Sequence, residues 1–152
     1  MVAADSRTGE GTAHPWAFFR CEDHGFAVPL ASVAEIVPPQ PATRLPGCGR
    51  EVYGLVGLRG RVITVFDLGV LAGGRPATNL PDHRLVLVAR GRRLVGLAVE
   101  TMVTIAAPAR QGSARPVLPG ALQPGDVSGT VVMEGAPFLH LDVDHLLGRL
   151  IA

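Results

Sequence analysis

Arg59 is the residue whose surroundings most demand a partner. It sits in Gly54–Leu68, GLVGLRGRVITVFDL, where two apolar runs, Gly54–Leu58 and Val62–Phe66, flank an Arg59-Gly60-Arg61 corner. A β-branched run after glycine reads as a strand leaving a turn, and Gly60 supplies the positive φ that a short reversal needs. A planar, permanently charged guanidinium beside aliphatic neighbours needs an acid, from this chain or from another protein, so Arg59 reads as a recognition residue. Two carboxylates, Asp67 and Asp142, each close a strand ahead of an apolar turn, which is where a helix N-cap belongs. A paired-carboxylate hydrolase is the sharper alternative, but neither has an acid/base partner in a recognisable motif.

Other groups invite chemistry less strongly. His140-Leu-Asp142-Val-Asp144-His145 holds four side chains of metal-ligand type. Strand alternation puts His140 and Asp142 on one face before the chain turns, so rim residues and caps explain all four, and no metal or cofactor is expected. Arg90, Arg92 and Arg93 crowd one hairpin tip, either as solvated turn charges or as a contact to an acidic surface. Cys21 and Cys48 match no C-x-x-C spacing and read as two free thiols of a reducing compartment. Cys48 as a nucleophile would need a base, and none is identifiable. All fourteen basic residues are Arg. Without lysine there is no Walker phosphate-binding lysine, no Schiff base and no lysine general base.

These residues must be positioned by an aliphatic framework. The 152 residues are 47% hydrophobic but 5% aromatic, with a net charge of +1. That length fits one domain or two small subdomains, burying roughly 70% of the unfolded surface without staples. So small a net charge and so few stacking rings argue against nucleic acid as a partner. The first fifteen residues, small and polar, predict a disordered tail without the apolar run of a signal peptide. No window is apolar enough for a membrane span, so a cytoplasmic protein with no membrane insertion is expected.

Order is predicted to begin at residue 16. Ala17–Phe19 and Phe26–Leu30 flank a polar Glu22–Gly25 turn; Ser32 is placed to cap one helical turn carrying Val33, Ile36 and Val37, ended by Pro38-Pro39. Residues 84–89 and 94–99 form a second hairpin, 106–124 a long loop with four prolines, and 127–134 with 137–141 a third hairpin. A short terminal helix with Leu146, Leu147 and Leu150 follows Asp142. Short strands with Gly/Pro punctuation predict an all-β barrel or sandwich. A shift of 75 residues superposes Gly54 on Gly129, Val56 on Val131, Gly60 on Gly135, Ile63 on Phe138 and Asp67 on Asp142, and a shift of 70 puts Val33 on Val103. Each half then reads as a hairpin, a short turn and a second hairpin ending in aspartate, predicting two related β subdomains.

Four blocks in order resemble the CheW-like family, the coupling proteins of bacterial chemosensory arrays: Phe26–Ile36, Gly54–Gly60, Val62–Leu68 and Val95–Glu100, with Gly129…Asp142 fitting the closing strands. Three positions depart from the family pattern: Gly57 stands for the usual asparagine, Thr64 for proline and Glu100 for aspartate. The resemblance implies two small five-stranded SH3-like β-barrel subdomains on a shared hydrophobic core, with short helical turns, over residues 16–152. It implies a non-enzymatic adaptor between the cytoplasmic tip of a chemoreceptor and the regulatory domain of a CheA-type histidine kinase, located at membrane-bound receptor arrays. A module that retains only one of those partners, in a related motility or developmental pathway, is the alternative. By matching motif positions, the receptor-facing groove would comprise Val33, Glu35, Gly54, Leu58, Arg59 and Gly60. Glu35 and Arg59, on elements that pack together, would form a bidentate pair that fixes the groove, or stand as two solvated charges worth about 0–1 kcal/mol. Leu55 and Leu58 beside it read equally as core or as apolar anchors for a receptor helix. A small-molecule-binding or hydrolytic β-barrel is a third class, disfavoured by the missing lysine and scarce aromatics.

Overall fold

Several strands are apolar on both faces, and the arrangement of the sheets gives each face somewhere to go. The computed structural model describes residues 14–108, 110–112 and 116–151. In the first half, β1 (Trp16–Cys21) turns through Glu22-Asp23 into β2 (His24–Pro29). A 3-10 turn, Leu30–Ser32, leads to β3 (Val33–Val37), and β4 (Val52–Leu58) and β5 (Arg61–Asp67) form the hairpin at Arg59-Gly60. A one-turn helix, α1 (Leu68–Leu71), and a 3-10 turn, Ala77–Asn79, close that half. The second half repeats the order with β6 (Arg84–Arg90), β7 (Arg93–Val99), β8 (Thr101–Ala106), β9 (Arg110–Gly112), β10 (Val127–Met133), β11 (Ala136–Leu141) and α2 (Val143–Ile151).

The halves are exchanged between two sheets. One sheet runs β8-β1-β2-β11-β10-β9 and the other β3-β6-β7-β5-β4. Each therefore combines the leading hairpin of one half with the closing hairpin of the other, joined by parallel pairs, β2 with β11 and β5 with β7. The repeat seen in the sequence is real in three dimensions. Gly54 and Gly129 sit at matching bulges with φ +144° and +155°, and Gly60 and Gly135 both lie at +78° in matching turns. The register equates Val33 with Met102, opposite Val88 and Phe19, so the offset for the leading strands is one less than the sequence shift to Val103.

Burial follows from this exchange. Along β6, Leu85 and Leu87 face the hollow of their own sheet, with Val37, Val56, Ile63 and Val65. Val86 and Val88 face a central core that both sheets share with Phe19, Phe26, Leu97, Leu141, Leu146 and Leu147. Phe18, Val131 and Phe138 fill the other hollow, where the Phe18 and Phe138 rings meet edge to face at 5.0 Å. A strand covered on both sides reads as a continuous apolar run, as RLVLVAR and RLVGLAV do.

Three expectations need correction. The sheets are not closed barrels, and one has six strands, because the extra β9 pairs with β10. In the second sheet the return strand is a single bridge between Thr43 and Leu55, too short for a ladder. Val33–Val37 is a strand rather than the helical turn expected after Ser32, since edge pairing to β6 outweighs a weak cap. The segment 106–124 is not all loop, for it contains β9. Most of the expected N-terminal tail, residues 1–13, lies outside the described residues; Pro15 is tied down, its carbonyl accepting from the Leu30 N–H at 3.0 Å. No helix among the described residues is long and apolar enough to cross a membrane.

Candidate functional site

The β4–β5 turn presents Arg59 in an unusual backbone state. Arg59 and Gly60 both have positive φ, +48° and +78°, which matches the right-handed twist of a two-residue hairpin. Glycine takes that conformation freely, whereas a residue with a Cβ gives up roughly 1 kcal/mol. The guanidinium Nη2 donates to the Glu35 carboxylate on β3, although β3 and β4 are opposite edges of the sheet. The curl of the sheet therefore brings its two edges together, and the ion pair spans the gap that no ladder closes. Arg59 remains 64% exposed and Glu35 37%, so the pair adds little to stability and leaves donor capacity facing solvent.

The other expected groove residues divide. Leu58 is half-buried against the hollow of the second sheet, beside the turn, and Gly60 is exposed at its tip. Gly54 is buried and supplies close approach: an added Cβ would lie 2.5 Å from the Thr43 carbonyl oxygen. Val33 and Glu35 share β3, but the bulge between them turns Val33 toward the central core, while Glu35 stays on the side of Leu87 and Val37. The structure thus brings together Glu35, Leu58, Arg59 and Gly60, and places Val33 and Gly54 in packing positions nearby in the chain.

The carboxylates that invited catalytic readings are occupied by the backbone. Asp67, 2% exposed, accepts from Val70 N–H (3.2 Å), Ala77 N–H (2.9 Å), Thr78 N–H (3.1 Å) and the Thr78 hydroxyl (2.9 Å), locking α1 to the turn after it. Asp142 accepts from His145 N–H at 3.0 Å and caps α2. The four-residue set around it disperses: His140 packs edge-on against Trp16, Asp144 gives its carbonyl to Arg90, and the His145 ring meets Asp126. Burial lowers the His140 pKa, against the opposing pull of Asp142. Cys21 is buried and its thiol is pushed up to about 12 by burial, whereas Cys48 is exposed.

Sequence reading missed Asp126. It is fully buried, with Arg149 Nη2 at 2.5 Å, His145 Nδ1 at 2.9 Å and the Gln123 N–H at 2.8 Å. Burial alone would raise its pKa, but Arg149, the Gln123 N–H and His145 together hold it below the ordinary 3.8. The available signal was the 75-residue shift, which puts Asp126 on Glu51: their carbonyls accept the matching Asp142 and Asp67 N–H groups at 2.8 and 2.7 Å. A second network was also missed. Glu22 and Glu100 accept from Arg75 through its backbone N–H and its guanidinium, tying the β1–β2 turn to the β7–β8 junction.

With this geometry in view, comparison with known proteins is direct. The CheW-like domain family matches residues 16–150, and the chain belongs to that family. It is 34% identical over 87 residues to a probable chemotaxis protein CheW of Rhizobium etli, covering 57% of this chain and 56% of that protein. The chemotaxis protein CheW of Rhizobium meliloti is 32% identical over the same shares. The chain thus matches little more than half the length of these curated relatives. The crystal structure of the scaffolding protein TtCheW from Thermoanaerobacter tengcongensis superposes with a TM-score of 0.76 over 92% of this chain and 91% of that one, at 18% identity. That likeness establishes the fold, two SH3-like subdomains.

Proposed function

We propose that this protein is a chemotaxis coupling scaffold, which holds a chemoreceptor cytoplasmic tip and the regulatory domain of a CheA-type histidine kinase in register and carries out no chemistry itself. The observation that carries the reading is Arg59, held in a left-handed turn at the rim of the second sheet and steadied by Glu35 from the opposite edge. A long cation in a costly backbone state, half-satisfied and exposed, suits recognition of an acidic or carbonyl-rich surface better than internal support. Glu35, Leu58, Arg59 and Gly60 form the receptor-docking rim in this reading, with Val33 and Gly54 setting its backbone. Membership in the CheW-like family supports it. So does the burial of Asp67 under four donors, which commits its carboxylate to holding the backbone.

In such a scaffold, each face forms a modest interface, and assembly on an array multiplies weak contacts into stable occupancy. Receptor state would bias the kinase through the geometry of the bridge, a shift in populations. The protein would act in the cytoplasm, at membrane-bound arrays. Co-sedimentation with a receptor cytoplasmic fragment and a kinase regulatory domain, separately and together, tests the proposal. Binding to both is expected. Binding to one selects a single-partner scaffold, and binding to neither overturns the reading.

A further inference from the structure

The second subdomain also carries a cleft away from the Glu35–Arg59 rim. The cleft, of about 510 Å³, opens at the margin of the central core, between β5, β7 and the end of α2, within the 300–1,000 Å³ range of ordinary binding sites. Its floor is apolar, with the buried Phe66 and Val95 at the base, Leu150 and Ile151 beside them, and Val62, 73% exposed, at the edge. Its rim is cationic. Arg61, the first residue of β5, lies by Arg92 of the β6–β7 turn and Arg93, the first residue of β7, because β5 and β7 run parallel and so begin at the same end of the sheet. Arg61 Nη2 donates to the Arg92 carbonyl at 3.3 Å, fastening the two turns together. Among the described residues, no carboxylate lies within ion-pair distance of these three arginines.

Like charges crowded on one rim repel each other, and an occupant bearing carboxylates relieves that repulsion. The floor asks for hydrocarbon at the same time. We infer that this cleft docks an acidic amphipathic polypeptide segment of a partner protein, its aliphatic side chains on Val62, Leu150 and Ile151 and its carboxylates on Arg61, Arg92 and Arg93. This surface is separate from the rim assigned to the receptor and does not depend on that assignment. Cys48 lines the cleft and is exposed, while Cys21 is buried, so one native thiol reports directly on occupancy.

The test uses the full chain and a labelled synthetic fifteen-residue peptide with Leu at positions i, i+3, i+4 and i+7 among Glu and Asp. Comparison peptides replace the acids by Lys, or the leucines by Ser. The acidic amphipathic peptide is expected to bind by fluorescence anisotropy, more weakly as salt rises, and to slow modification of Cys48 by a thiol reagent at least fivefold at saturation. Combined R61Q, R92Q and R93Q should weaken binding at least tenfold and V62S at least threefold, whereas R59Q should change it less than twofold. The single variants R92Q and R93Q sit on an exposed turn and keep the test valid if the triple variant folds poorly; each should weaken binding at least twofold. The inference is overturned if Cys48 reacts at an unchanged rate, or if the serine or lysine peptide binds as well. It also fails if R59Q matches the triple variant, or if phosphatidylserine vesicles bind the arginines and the peptide does not. Receptor co-sedimentation is read separately, so either proposal can fail alone.

Discussion

The two halves of this chain trace nearly the same path and place different chemistry on it. In the β4–β5 hairpin the left-handed turn residue is Arg59, with Glu35 reaching across from β3. In the matching β10–β11 hairpin it is Glu134, with φ +50°, and the register puts Thr104 where Glu35 stands. The contrast recurs at the carboxylates. Asp67 is buried and held by four donors from its own connector, while its counterpart Asp142 is half-exposed and caps a helix. Conversely, the partly exposed Glu51 corresponds to Asp126, buried against Arg149 and His145 of α2. Backbone geometry has been kept twice, whereas charge has been assigned once per site. The fold therefore does not explain the Arg59 rim; the side chains placed on it do.

The largest difference between the halves is expected at the paired caps. Asp67→Ala removes the acceptor for three backbone N–H groups and a hydroxyl, and should cost about 3 kcal/mol in denaturant unfolding. Asp142→Ala, losing one cap, should cost about 1 kcal/mol. Equal losses would mean that the two sites are equivalent in more than position. Next comes binding. Arg59→Glu should weaken receptor co-sedimentation at least tenfold, about 1.4 kcal/mol. Glu134→Arg, the same reversal in the other half, should change it less than twofold, and a comparable loss there would remove the special role of the Arg59 turn.

Acid stability sharpens the contrast further. Asp126 binds its proton less tightly in the folded chain than when unfolded, so its contribution is complete above the ordinary 3.8 and is lost as pH falls below that value. Asp126→Asn should flatten the acid limb of stability in that window, read by denaturant unfolding across the acid range. Smallest of all is the backbone effect. Arg59→Asn and Glu134→Asn each put a residue tolerant of positive φ into a matching turn and should each raise stability by about 0.5 kcal/mol. Only the first should lessen receptor binding. Thermal melts read beside co-sedimentation separate the two effects.

Much of the local structure was legible in the chain. Hairpins at Glu22-Asp23, Arg59-Gly60, Gly91-Arg92 and Glu134-Gly135 follow from short apolar runs broken by turn residues, because such pairing is decided between near neighbours. The caps at Asp67 and Asp142 were legible for the same reason. The element after Ser32 was not, because Val33–Val37 becomes a strand only when β6 lies beside it. Asp126 was not, because its partners Arg149 and His145 arrive from a helix about twenty residues later.

What the residues alone determined, then, is a doubled series of short apolar hairpins, and an arginine at one turn that calls for an acid. Tertiary structure decided which hairpin joins which. The leading hairpin of each half pairs in parallel with the closing hairpin of the other, β2 with β11 and β7 with β5. The hydrogen bonds within every hairpin would be the same without that exchange, so no local pattern encodes it. The choice rests on burying the second apolar face of β1, β2, β6 and β7 in one common core, a free energy that exists only when the whole chain is assembled.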